Sequence, residues 1–281
     1  MIQFLYLGRV SYAEALRMQQ EFVELRIAGR IGNVLLLLEH PPVLTLGRNA
    51  NRANILASKA QLAARGVTVH EINRGGDVTY HGPGQLVGYP IFDLRSLRSP
   101  RGGRLGPVDF VRGIEEALIR LCAEFAVAAG RIRGLTGVWC GVGQNVTASD
   151  PPHGERKIAA IGIHVSRGVT SHGFAFNVTT DLGDFALINP CGITDRPVTS
   201  LAKEAAAPQS LPELEALAAR AARQFGKVFG EPLSAAESLE ALRAQTAPEF
   251  PAPEFPAEDT PLQIPPEIER LRGTKNKPTL A

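Results

Sequence analysis

The chain of 281 residues is long enough to bury a sizeable core, and 44% hydrophobic with 21% charged residues is ordinary for a globular protein. A formal charge of +2 gives no global electrostatic case for nucleic acid or an anionic membrane. Three cysteines, Cys122, Cys140 and Cys191, stand at no metal-ligand spacing, which argues against a disulfide scaffold and for a reducing, cytoplasmic setting.

The opening MIQFLYLGRVSYAEAL has neither a basic region nor a small-residue cleavage site and does not read as a signal peptide. The longest strongly apolar run, Val34 to Leu38, falls far short of the roughly twenty residues of a membrane helix. Residues 12–29 place Tyr12, Leu16, Val23 and Ile27 on one helical face. NVLLLLEH, closed by Pro41 and Pro42, suits a strand buried on both faces, and VLTLG is a second short strand. An Ala-rich helix near 58–65 stops at Gly66, and VTVHEIN (67–73) alternates as a strand. After a glycine-rich stretch comes the strand QLVGYPIFDL, then a loop between Leu94 and Gly106.

Pro107 and Asp109 open a helix expected over 108–126, with Val111, Ile114, Leu118, Leu121 and Phe125 on one stripe. GVWC starts a strand, and a polar insert, GQNVTASDPPHGE, separates it from RKIAAIGIHVS. The latter pairs with SHGFAFNV as a hairpin across RGVT. A last helix is expected over 211–228, opened by Ser210 and Glu213 at capping-box spacing. From 246 on, prolines crowd the chain and PEFPA occurs twice in tandem, so 246–281 reads as an extended, disordered tail after one mixed α/β domain, 1–245. Strands that come in pairs as well as alternating with helices argue against a purely parallel sheet.

The stretch NRGGDVTYHGPGQLVGYP, Asn73 to Pro90, holds five glycines among two tyrosines, an arginine and a histidine. Gly82, Gly84 and Gly88 lack the spacing of a dinucleotide fingerprint, a strand rather than a helix follows, and no phosphate-loop G-K-[ST] is present. Two readings remain. One is a groove where bare backbone admits a long thin ligand, with Arg74, Thr79, Tyr80 and His81 as its polar groups; the other is a Gly-Pro turn with a satisfied structural histidine.

Cys122 falls on the apolar stripe of the long helix and Cys140 follows Trp139 in a strand, so both read as core. Cys191, between Pro190 and Gly192 in a loop, is the candidate nucleophile. Lys157 is a candidate partner, since a nearby ammonium lowers a thiol pKa; His81, His164 and His172 are rival bases, and a solvated strand-end lysine is the bland alternative. No H-E-x-x-H, C-x-x-C or G-x-S-x-G occurs. Arg95, Arg98, Arg101 and Arg104 recur every third residue in a loop, as a solvated segment does and as a basic docking strip does.

HPPVLTLGR (40–48), RGGDVTYHGPGQLVGYP (74–90), GVW (137–139), KIAAIGI (157–163), SHGFAFNV (171–178) and NPCGI (189–193), in this order, resemble the lipoyl(octanoyl) transferases over about residues 1–230. The resemblance implies an α/β fold of the biotin and lipoate protein ligase type, a mixed sheet flanked by helices. It implies an enzyme that moves an octanoyl group from octanoyl-acyl carrier protein to a lysine of lipoyl domains, those of 2-oxoacid dehydrogenase complexes and the glycine-cleavage H protein; a monomer is the default expectation, which the sequence does not fix. No nucleotide, metal or other cofactor is called for. By position, Cys191 matches the acyl-thioester nucleophile and Lys157 the lysine that lowers its pKa. Arg74, Gly75, Gly76, Asp77, Val78, Thr79, Tyr80 and His81, with Ala160, Ile161, Gly162, Gly173, Phe174 and Ala175, match the acyl-binding segments. On this reading Gly75 and Gly76 leave room for the acyl chain, and backbone N–H groups near Gly75, Gly76 and Gly162 are the oxyanion-hole candidates, each well-placed donor contributing about 3–4 kcal/mol. The polar insert and the proline-rich tail depart from the family's pattern. Rival readings are an ATP-dependent ligase of the same fold and a non-enzymatic binder of acylated carrier domains.

Overall fold

A computed structural model describes residues 1–98 and 102–245; the expected tail and Arg101 lie outside the described residues. The chain runs β1 (Ile2–Arg9), α1 (Tyr12–Ile27), β2 (Asn33–Glu39), β3 (Val43–Leu46), α2 (Lys59–Ala64), β4 (Thr68–Glu71), β5 (Val78–His81) and β6 (Gln85–Ile91). It continues through α3 (Pro107–Ala123), β7 (Ala129–Ile132), β8 (Leu135–Cys140), β9 (Arg156–Ser166), β10 (Val169–Asn177), α4 (Leu201–Glu204), α5 (Leu214–Phe229), β11 (Leu233–Ala235) and α6 (Leu239–Arg243).

Eight strands form one mixed sheet in the order β11-β1-β2-β6-β10-β9-β8-β7, parallel from β11 to β2 and antiparallel beyond. The apolar run of β2 is buried on both faces, as its composition requires. Leu35 and Leu37 point to α3 and α5 with Phe110, Leu118 and Phe225, while Val34, Leu36 and Leu38 meet Met18 and Phe22 of α1. Each such aliphatic side chain, fully removed from water, contributes about 2 kcal/mol. β9 and β10 form the expected hairpin, turning on Arg167 and Gly168, both at positive φ.

A second sheet, β4-β3-β5, lies over its own cluster of Leu44, Leu46, Val78, Tyr80 and Phe185. The two sheets come into backbone contact at glycines. Gly75 N–H donates to Ile163 O (3.0 Å), and a Cβ placed on Gly162 would stand 2.7 Å from Gly75 O. At Gly162 only a residue without a side chain allows that approach.

Three expectations need correction. The helix α3 ends at Ala123 rather than 126, because Ala126 has φ 56° and breaks the helical path. The capping box at Ser210 and Glu213 does not form: α5 begins at Leu214 with Glu213 as an N-cap that makes no side-chain bond, and Ser210 Oγ donates to Ala207 O (2.8 Å). Pro212 lies between them, and the residue before a proline is pushed out of the helical region. The strands β1, β7 and β11 were not anticipated. Among the described residues no helix is long and apolar enough to cross a membrane.

Candidate active site

Cys191 sits in the short turn Pro190–Gly192 at φ 57°, ψ 20°, a left-handed conformation that costs a residue with a Cβ about 1–3 kcal/mol. Neighbours hold the turn in place. Asn189 N–H donates to Asn54 O (2.7 Å), and Gly192 N–H to Asn189 O (3.1 Å). Asp77 braces the same segment: its carboxylate accepts from Asn51 N–H (2.9 Å), Val78 N–H (2.7 Å) and the Asn54 side chain, and a Cβ on Gly192 would lie 3.1 Å from it. A thiol is thereby fixed, half-buried, on a backbone that would not choose this shape unaided.

Lys157, near the start of β9, is 6% exposed, and its Nζ stands 3.7 Å from Cys191 Sγ. The same ammonium lies over the Trp139 ring, 4.8 Å from its centroid. Two backbone bonds tie the residue to the segment that follows the cysteine, Lys157 N–H to Pro197 O (2.8 Å) and Thr199 N–H to Lys157 O (2.8 Å). The lysine and thiol are therefore carried by elements locked to one another.

A cleft of about 480 Å³, its open mouth included, leads from the thiol between the two sheets. Arg74, Gly76, Thr79 and His81 line one side, and Ala160, Ile161, Gly162, Gly173, Phe174 and Ala175 the other, with Cys191 at the junction to a smaller hollow that Lys157 borders. Arg74 is anchored through Nη2 to Thr45 O (2.7 Å) and Oγ1 (3.0 Å) and through Nη1 to Gly75 O (3.0 Å). Burial pulls its pKa below the ordinary arginine value, and the charge of a Cys191 thiolate acts in the opposite direction. The guanidinium is thus close enough to feel the sulfur's charge.

The rival bases are otherwise engaged. Burial lowers the pKa values of His81 and His172 to about 3, so both rings are neutral. Gln85 donates its amide N–H to Tyr80 O (3.2 Å) and Asn177 Oδ1 (2.9 Å), so its oxygen accepts from His81 Nδ1–H (2.8 Å) and fixes that tautomer. His172 Nε2 meets Asn73 Oδ1 at 2.8 Å. His164 is likewise lowered, by burial and then by Arg48. Among these basic groups Lys157 is the one within hydrogen-bond reach of the thiol.

Not all the sequence candidates reach the cleft. Val78 and Tyr80 point to the opposite face of β5, where Tyr80 donates its hydroxyl to Asp184 (2.5 Å), and Asp77 serves the cysteine turn. Gly75 does not line the cleft, and its N–H, spent on Ile163 O, is not free for an oxyanion hole. Cys122 and Cys140 are core, as expected, with burial raising both thiols, Cys140 to about 12. Arg95 is committed to Asp93 (2.9 and 2.8 Å). Its neighbour Leu94 bonds Gly168 at the far hairpin tip, beyond the end of β9 at Ser166, which lies roughly 30 Å from Lys157 at strand spacing.

Sequence reasoning missed Tyr12, Val87 and Tyr89, which also line the cleft, and Gly137 and Trp139, which shape the seat of Lys157. The glycine two residues before the tryptophan in GVW was the available signal. Among the described residues no cluster of His, Cys, Asp or Glu converges as a metal site would.

The model of the lipoyl protein ligase A/B catalytic domain matches residues 11–225. An octanoyltransferase of Acidobacterium capsulatum is 61% identical over 230 residues, covering 82% of this chain and 90% of that protein. One of Koribacter versatilis is 51% identical over 252 residues, covering 90% and 93%. In fold the chain is similar to a bipartite lipoate protein ligase from Thermoplasma acidophilum, with a TM-score of 0.62 at 16% identity over 87% of this chain and 90% of that one. The chain belongs to the lipoyl protein ligase A/B catalytic domain family and is an acyltransferase of its octanoyltransferase branch.

Proposed function

We propose that this chain, acting as a monomer, takes an octanoyl group from octanoyl-acyl carrier protein onto Cys191 and passes it to a lysine of lipoyl domains. The acceptors are those of 2-oxoacid dehydrogenase complexes and the glycine-cleavage H protein. The observation that carries the reading is the 3.7 Å approach of Lys157 Nζ to Cys191 Sγ at the head of the cleft. An ammonium there favours the thiolate, the nucleophilic form.

The thiolate attacks the donor's thioester carbon and forms a new C–S bond, the carrier's C–S bond breaks, and the departing sulfur takes a proton from the Lys157 ammonium. One thioester replaces another, so this half-reaction is close to balanced. The neutral Lys157 then accepts a proton from the acceptor lysine as that amine attacks the acyl carbon and the Cys191 C–S bond breaks. The amide product is more stable than the thioester, which drives transfer forward. The acyl chain occupies the cleft between Gly76 and Thr79 on one side and Ala160, Gly162 and Ala175 on the other.

Intact-protein mass after incubation with octanoyl-acyl carrier protein tests the reading. The wild type should gain one octanoyl group and Cys191→Ala none; an unmodified wild type, or an equally modified Cys191→Ala, rules it out. Transfer that survives in Cys191→Ala when ATP is added favours a ligase mechanism instead.

A further inference from the structure

One buried charge has no part in the chemistry above. Glu115 of α3 is fully buried, and a carboxylate so placed is costly unless donors compensate. Three do: Arg112 Nη1–H (2.6 Å) and Arg131 Nε–H (3.0 Å) bond Oε2, and Gly137 N–H (3.0 Å) bonds Oε1. The third is the informative one. Gly137 lies in β8 at φ 130°, and just beyond it the ladder slips: Val138 pairs with Ala159 but Trp139 pairs with Lys157, so β9 spends one extra residue. A Cβ at Gly137 would meet Ala159 O at 2.6 Å, Lys157 Cε at 2.9 Å and Nζ at 3.6 Å. The lysine chain runs through the gap that this glycine opens.

We infer that Glu115 is a positioning residue for Lys157: by holding the Gly137 amide it keeps that gap open and sets the approach of Nζ to Cys191. The inference rests on Lys157 as the thiol's activating partner. Glutamine at 115 would turn an amide N–H₂ toward guanidinium donors or toward the Gly137 N–H, so at least one of these bonds is lost.

The test is a double-mutant cycle on the full chain, reading the rate of iodoacetamide alkylation at Cys191 near pH 7 with peptide mapping, alongside kcat and KM for a lipoyl domain. Lys157→Ala is expected to slow alkylation by at least about tenfold and Glu115→Gln by about three- to tenfold, while the double variant matches Lys157→Ala within about twofold. The loss in Glu115→Gln falls on kcat, with KM unchanged. Wild-type alkylation in Glu115→Gln, or an equal further loss in the Lys157→Ala background, overturns the inference. Unchanged alkylation in Lys157→Ala would instead remove the lysine's own assignment. Should Glu115→Gln fail to fold, Glu115→Asp keeps the charge but draws it back from the Gly137 N–H and is expected to give the same non-additive loss; wild-type alkylation there overturns the inference equally.

Discussion

Cys140 and Cys191 lie close to the same lysine-bearing strand yet occupy opposite chemical settings. Cys140 ends β8 in the core, paired across the ladder with Arg156, and burial pushes its thiol up to about 12. Cys191 stands outside any strand, half-buried on a left-handed residue, with an ammonium 3.7 Å away and a cleft before it. Burial alone makes a thiol inert. A thiol becomes useful where the chain leaves regular structure, because only there can an amine, an open cleft and a partner's acyl group all reach one atom.

The largest effect should separate the two sulfurs. Cys191→Ala is expected to lower turnover by about 10⁴-fold or more, in line with the removal of a nucleophile, while Cys140→Ala keeps its kcat and loses about 1–2 kcal/mol in denaturant unfolding. Equal losses of activity would break the contrast. Next comes the amine: Lys157→Ala should reduce kcat by about 10²–10⁴-fold without changing the fold by circular dichroism. Wild-type turnover in that variant would mean that Cys191 needs no neighbour.

The contact between the sheets gives a third effect. Gly162→Ala would press a methyl onto Gly75 O and against Arg74 Cδ, 3.3 Å away, and should cost about 1–3 kcal/mol of stability together with activity, as overpacking does. A variant as stable and active as wild type would show that the sheets can separate freely.

Acid should act on two buried histidines of the cleft wall, His81 and His172, and on His40 packed behind His81. Burial lowers His40 to about 4 and His81 and His172 to about 3. The unfolded chain, with histidines near 6.5, binds more protons below that pH, so stability falls as pH drops from about 6.5 toward 3, by about 2 kcal/mol per histidine at pH 5. Unfolding midpoints that stay flat between pH 7 and 5 would mean that the three rings titrate normally. The smallest effect concerns Arg95, which is neutralised by Asp93 and remote from the thiol: Arg95→Ala should leave the rate and its salt dependence within about twofold. A steeper loss would support the loop as a docking strip.

What could be read from the sequence follows from the range of the interactions. β2, β9, β10 and α3 carry their periodicity within themselves, and their assignments hold apart from the last turn of α3. β1 escaped because its side chains are half-buried and its partners are β2 and β11, the latter more than two hundred residues away. The pairing of Lys157 with Cys191 in space was legible because their residue types and motifs are distinctive. Gly137 and Glu115 were not: a glycine in a strand and a glutamate on an amphipathic helix acquire meaning only when folding brings β8, β9 and α3 together. Val78 and Tyr80 show the reverse, since a contiguous motif was read as one lining although alternate residues of β5 face opposite ways, and Asp77, just before the strand, is drawn to the cysteine turn instead.

The central claim, that an acyl group on Cys191 is on the path to product, is tested most directly by a chase. Octanoylated enzyme, freed of carrier protein, is mixed with unmodified lipoyl domain and both masses are followed in time. The enzyme should lose its octanoyl group at the rate at which the domain gains one, and no slower than kcat. An adduct that persists while the domain is modified by fresh donor would contradict the account.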